Sequence, residues 1–196
     1  YNDPRIRLVR NEENRGYVRT FERAMQLATG DVLLLSDQDD VWSAGRRDAL
    51  VTAATAKGFA ASNLLLLGSE QPLRSPVTGR PWLLRARDST RNLRNELTML
   101  AGDVPYFGCA MAVHRDALAL VLPFPGILTE SHDLWIATVA NASHRMTHLE
   151  RPTILRRLHE DNASTPRPRG VRAALRSRWM LLRLWRVAHR RIRRAR

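Results

Sequence analysis

The chain of 196 residues contains one cysteine, one lysine and no uncharged apolar run of about 18 residues. A single cysteine, Cys109, excludes an intramolecular disulfide framework and any multi-cysteine zinc or iron–sulfur site. The missing apolar run excludes a transmembrane helix within these residues. Lysine occurs only at Lys57. A coding bias toward arginine explains that imbalance as readily as a need for guanidinium chemistry does. What remains is ordinary for a globular domain, with 44% hydrophobic and 26% charged residues. The length is enough for one domain with a real core.

The net charge of +13 is unevenly spread. Residues 166–196 hold twelve arginines and no acidic residue, so the first 165 residues are close to neutral. This gives two regions, a globular part over 1–165 and a basic tail over 166–196. From Gly170 the tail has no proline, and at about 100° per residue Arg172, Arg176, Arg183, Arg190 and Arg194 share one face. Ala174, Leu181, Trp185, Ala188 and Ile192 fall opposite. Such an amphipathic helix suits an anionic membrane surface, with the apolar stripe inserted and the guanidinium groups at the headgroups. The alternatives are a terminal helix docked on its own domain and, less in keeping with a neutral body, a nucleic-acid contact.

Arg5–Arg10 alternates apolar and charged side chains as a half-buried strand does. After the turn chemistry of Asn14-Arg15-Gly16, Val18, Phe21, Met25 and Ala28 recur at helical spacing, and Thr29-Gly30 closes the helix. Val32–Leu35 reads as a buried strand. Strand, helix and buried strand form a βαβ unit, so the expected class is α/β with a mostly parallel sheet flanked by helices. Helices are expected over Ala44–Lys57, Leu93–Leu100, Arg115–Leu122 and Leu134–Ala142. Further strands are expected over 59–67, 107–113 and 154–158. Residues 68–90 read as a loop, and Trp42 and Trp135 as core or wall residues.

Directly after the buried strand stands Ser36-Asp37-Gln38-Asp39-Asp40-Val41-Trp42. Three carboxylates within four residues repel one another and call for a cation, and hard oxygen donors suit Mg²⁺ or Mn²⁺. Ligands of open α/β sheets bind outside the carboxyl ends of the strands, where a divalent metal could neutralise a diphosphate leaving group. A solvated acidic turn capping the next helix is the plainer alternative. Asp133, before Leu134-Trp135-Ile136, has the position of a helix cap.

Asn14-x-Gly16, the helix, Gly30-Asp31, the apolar strand and the DQDDVW string closely resemble the family 2 glycosyltransferases, in particular their rhamnosyltransferase-like branch. The resemblance continues through Phe107-Gly108-Cys109-Ala110-Met111-Ala112, Leu122-Pro123-Phe124-Pro125, His132-Asp133-Leu134-Trp135 and Arg157-Leu158-His159-x-x-Asn162-x-Ser164, in the family's order over about 1–165. It implies a GT-A-like fold and inverting transfer of a sugar from a nucleotide-diphosphate donor. Asp39 then matches a metal ligand, and Asp37 reaches metal or ribose. Asp133 matches the catalytic base. His159 matches a position closing over metal or diphosphate, Asn162 supports that loop, and Gly108 and Cys109 lie on the acceptor side. The acceptor implied is a cell-surface or lipid-linked glycan.

The likeness begins after the family's first strand and base-holding turn. An N-terminally truncated sheet is therefore expected, belonging to a chain that extends upstream or to an inactive remnant. The resulting expectation is a metal-dependent glycosyltransferase, cytoplasmic and held at the inner face of the membrane by residues 170–196, with no nucleic-acid partner. The rivals are a non-catalytic basic module and a phosphodiesterase using the same carboxylates.

Overall fold

The computed structural model describes residues 3–157 and 170–195. Three layers follow from the apolar patterning. A five-stranded sheet carries one helix on one face and the other five on the opposite face. The strands are β1 (Val32–Leu34), β2 (Val41–Trp42), β3 (Phe59–Leu66), β4 (Met111–His114) and β5 (Met146–Arg156). The helices are α1 (Gly16–Leu27), α2 (Arg46–Lys57), α3 (Asn92–Ala101), α4 (Leu118–Val121), α5 (His132–Ala142) and α6 (Val171–Ala195).

The sheet order is β1-β4-β3-β5-β2. It is mixed rather than mostly parallel. β3 and β5 pair parallel, while β1–β4, β3–β4 and β2–β5 are antiparallel. β1, β3 and β5 nevertheless run the same way, as the βαβ reading requires. The segment after β3 passes along β5, with Ser89 Oγ accepting the His148 amide and Asn92 beside His144, and returns through α3 to re-enter the sheet at Met111 opposite Ala61, where β4 runs antiparallel to β3.

Alternation along the strands divides the core. Phe59 and Ala61 face one side with Leu33, Met111 and Val113, against Trp135, Ile136 and Val139 of α5. Ala60 and Ala112 face the other side, against Leu50, Ala53 and Ala54 of α2. Small residues there let α2 lie close to the sheet. Trp135 is fully buried and its indole N–H donates to the Val121 carbonyl.

Two expectations need correction and a third is narrowed. Arg5–Arg10 joins no strand among the described residues, and Ile6 and Leu8 are exposed. The segment is tied to α1 instead, with Arg7 Nη1 donating to the Leu27 carbonyl at 3.5 Å and Arg23 Nη1 to the Arg10 carbonyl at 3.3 Å. α1 ends at Leu27, so Thr29-Gly30 is not its cap. Trp42, expected in the core or as a wall residue, is half exposed, which leaves only the wall reading.

The basic tail is the long helix α6, and it joins the main core. Met180, Leu181, Leu184, Ala188 and Ile192 are buried against the rest of the chain. Polar clamps reinforce the packing. The Trp185 indole N–H donates to Glu96 Oε2 at 2.8 Å, and the Arg191 guanidinium donates to the carbonyls of Leu120, Val121 and Pro123. The stripe expected to enter lipid is therefore occupied by protein. No helix among the described residues is long and apolar enough to cross a membrane.

Candidate active site

The acidic turn sits where β1 ends, at the sheet end toward which β3 and β5 also run. The turn is closed locally, with the Trp42 indole N–H donating to Ser36 Oγ at 2.9 Å. From β5, the Arg157 amide donates to Asp40 Oδ1 at 3.2 Å and its Nε to the Asp39 carbonyl at 3.3 Å. One acidic turn is thus tied to the last strand of the sheet.

The carboxylate of Asp37, that of Asp40 and the Cys109 thiol lie with their ligand atoms within 4.8 Å of one another. Asp39, the expected ligand, falls outside that group, and Asp40 falls inside it. Burial raises the Asp37 pKa above the ordinary carboxylate value, and the negative charges of Asp40, Asp39 and Asp133 raise it further against the Arg156 guanidinium. Asp40 Oδ2 is buried and accepts no hydrogen bond from the described residues. Two close carboxylates, one with an orphaned oxygen, fit a hard divalent cation such as Mg²⁺ or Mn²⁺. The thiol does not fit that role. Burial, and then the Asp40 charge, push its pKa far up, so it stays protonated.

Beneath the turn lies Arg46, which the sequence reading passed over. It is 1% exposed, and its guanidinium donates to the Leu35 and Cys109 carbonyls, both at 2.7 Å, and to Thr153 Oγ1 at 3.0 Å. It also stacks under Trp42, 4.9 Å from the ring centroid. One cation thus joins the end of β1, the turn before β4 and the middle of β5. Burial lowers its pKa, opposed by the negative charge of Asp40. A signal was present. A cation in a helix's first turn opposes the helix dipole, so Arg46 needed another reason to be there.

Asp133 stands in the first turn of α5 and is half-buried, with Oδ1 accepting from the Leu134 amide at 2.8 Å. The residue before the helix is Ser131, in the left-handed region at φ 57°. The Tyr17 hydroxyl accepts the Ser131 amide at 2.8 Å and holds that conformation. The Asn14-x-Gly16 motif makes this possible. Asn14 Oδ1 accepts the Gly16 amide at 2.9 Å, and Gly16, at φ 71°, starts α1 so that Tyr17 and Phe21 face the Asp133 loop. Phe21 stacks on His132 with centroids 4.1 Å apart.

Gly108 meets the site from the opposite wall. A Cβ on it would stand 2.8 Å from His132 Nε2 and 3.7 Å from Asp133 Cβ. Its missing side chain thus admits the His132 ring rather than leaving open space. Burial lowers the His132 pKa, and neither ring nitrogen has a hydrogen-bond partner among the described residues. Cys109 is buried and faces the Asp37–Asp40 side. His159 and Asn162 lie outside the described residues.

The fold brings Asp37, Asp40, Asp133, Gly108 and Cys109 together at one end of the sheet. The family model described as Glycosyl transferase family 2 matches residues 1–119. That span is more than half of the chain and includes the acidic turn, Arg46, Gly108 and Cys109. The chain belongs to glycosyl transferase family 2. Asp133 and α6 lie beyond the matched residues. No curated protein matches the chain.

Proposed function

We propose that the protein is an inverting, divalent-metal-dependent glycosyltransferase that moves a sugar from a nucleotide-diphosphate donor to a hydroxyl of a cell-surface or lipid-linked glycan. The observation that carries the reading is the convergence of two carboxylate groups of different character at one sheet end. Asp37 and Asp40 crowd together with an unpaired buried oxygen, and Asp133 stands across from them at the start of α5. Rhamnose is the sugar suggested by the likeness of the DQDDVW string to the rhamnosyltransferase-like branch.

Asp37 and Asp40 would hold Mg²⁺ or Mn²⁺, with Asp39 beside them on the same turn. When bound, the metal neutralises charge on the departing diphosphate. Asp133, with Oδ1 held by the Leu134 amide, accepts the proton of the acceptor hydroxyl. The freed oxygen forms a bond to the anomeric carbon as the bond from that carbon to the diphosphate oxygen breaks. A single in-line displacement inverts configuration and requires one base. Arg156, whose charge already reaches Asp37, adds positive potential where the diphosphate leaves. His159 belongs to this reading as the residue that closes over the metal or diphosphate, and Asn162 as the support of its loop.

The acceptor places the enzyme at the cytoplasmic face of a membrane, as a peripheral protein. Incubating the chain with Mn²⁺, a panel of UDP- and dTDP-sugars and a lipid-linked acceptor tests the proposal. Accumulation of nucleoside diphosphate together with glycosylated acceptor is expected. Release of nucleoside monophosphate instead would identify a phosphodiesterase.

A further inference from the structure

The outer face of α6 is not a plain solvated surface. Leu175, Trp179 and Leu182 lie three and four residues apart, a spacing that makes one row along a helix. They are 65%, 59% and 45% exposed, although the opposite face of the same helix is buried in the core. Arg172, Arg176, Arg183, Arg186 and Arg190 flank the row and are exposed as well. The Arg183 guanidinium lies 4.6 Å from the centre of the Trp179 ring. A groove of about 570 Å³ runs beside this face, between Arg176, Trp179, Met180 and Arg183 of α6 and Ile127, Thr129 and Glu130 of the loop entering α5.

We infer that this outer face, and not the buried stripe, seats the protein on an anionic phospholipid bilayer. Charge complementarity selects the occupant, since five exposed arginines line one side of an apolar row. A face designed only for water gains nothing from exposing a tryptophan and two leucines in line, whereas an interfacial helix uses such a row to enter the headgroup region. The tryptophan has the amphipathic ring favoured at that depth. The arginines meet lipid phosphates at the same level, and each near the surface strengthens attraction to anionic lipid. Because α6 is fixed to α5 and the 127–130 loop, the seat also fixes Asp133, three residues beyond that loop, relative to the bilayer. The inference takes its class of partner from the peripheral-membrane reading above, and its vesicle test does not require sugar transfer.

Flotation of the whole chain with phosphatidylcholine vesicles, with and without phosphatidylglycerol, tests it. The expected result is binding that requires phosphatidylglycerol and weakens with salt. The double variant Trp179→Ser with Leu182→Ser is expected to bind about tenfold more weakly, with an unchanged melting temperature because both side chains are exposed. Arg176→Gln with Arg183→Gln is expected to lose about tenfold or more. Wild-type binding by both double variants overturns the assigned face while leaving peripheral binding intact. Tighter binding by Leu184→Ser, which loosens α6, would assign the membrane to the buried stripe instead. Failure to float with either vesicle overturns both this inference and the peripheral reading. Displacement from vesicles by a duplex oligonucleotide at equal charge would make the face a nucleic-acid surface.

Discussion

Two sets of carboxylates in this fold are treated in opposite ways. Glu22 and Asp88 sit among donors. Glu22 accepts the Phe124 amide at 2.6 Å and Arg19 at 2.7 Å, and Asp88 takes Arg91 and Arg94 at 3.0 and 2.8 Å. These acids fasten α1 to the Pro123–Pro125 turn and anchor the start of α3. Asp37, Asp40 and Asp133 are instead gathered near one another, and an oxygen of Asp40 is left unsatisfied. In a chain with 31 arginines available beside its one lysine, that lack of pairing is informative. Glu22 and Asp88 are given arginines, whereas Asp37, Asp40 and Asp133 form no ion pair among the described residues.

The largest expected effect comes from breaking the second set at its chemical end. Asp133→Asn should lower the rate of sugar transfer by roughly a thousandfold and leave the melting temperature unchanged, as initial rates and a thermal melt would show. Next is the cation beneath the cluster. Arg46→Met leaves the Leu35 and Cys109 carbonyls and Thr153 without their donor, and should cost about 3 kcal/mol in denaturant unfolding. Removing a fastening acid is milder. Glu22→Ala should cost about 1–2 kcal/mol in the same experiment, with transfer retained at permissive temperature.

Smaller effects sharpen the contrast. Burial lowers the pKa values of His132 and His148, so the folded state resists their protonation. Stability should be complete above about pH 6.5 and decline as the pH falls through that value toward their folded ones. Urea midpoints measured from neutral to mildly acidic pH would reveal the slope, and His148→Gln should flatten it. Asp37→Asn removes a repelling charge and should raise the metal-free melting temperature slightly, whereas the same change at Asp88 should lower it. Stability and activity would then move in opposite directions at Asp37.

How much of this was legible depends on how local the cause is. The spacing of Val18, Phe21 and Met25 in α1, the run Val32–Leu34 and the apolar stretch of α5 all announce their elements, because burial follows a period along the chain. β5 was hidden over its first eight residues, since Glu150-Arg151-Pro152 reads as a loop. In the fold, Pro152 lies opposite Asn63 at a register irregularity, where a missing amide donor is tolerated. The Arg5–Arg10 alternation misled because a strand also needs a neighbouring edge, which no period reports.

The same distinction holds at the site. The acidic string is local and was readable, whereas Asp133, read at a helix cap, stands inside the first turn of α5, whose cap position is Ser131. Whether Asp39 or Asp40 turns toward Asp37 depends on Arg157 pinning the turn from β5. Arg46 acts across three segments far apart in sequence, and Gly108 is small because of His132 from another element. The face of α6 that meets the core was equally non-local. Periodicity separated its two faces, but only packing against α3, α4 and α5 determines which one is left exposed.

The most direct test of the account is the melting temperature of the chain with Mn²⁺ and UDP or dTDP, compared with its Asp37→Asn and Asp40→Asn variants. The account predicts a rise that requires metal and nucleotide together and disappears in both variants. A rise that survives both substitutions would place the diphosphate elsewhere and contradict the assignment of the acidic turn.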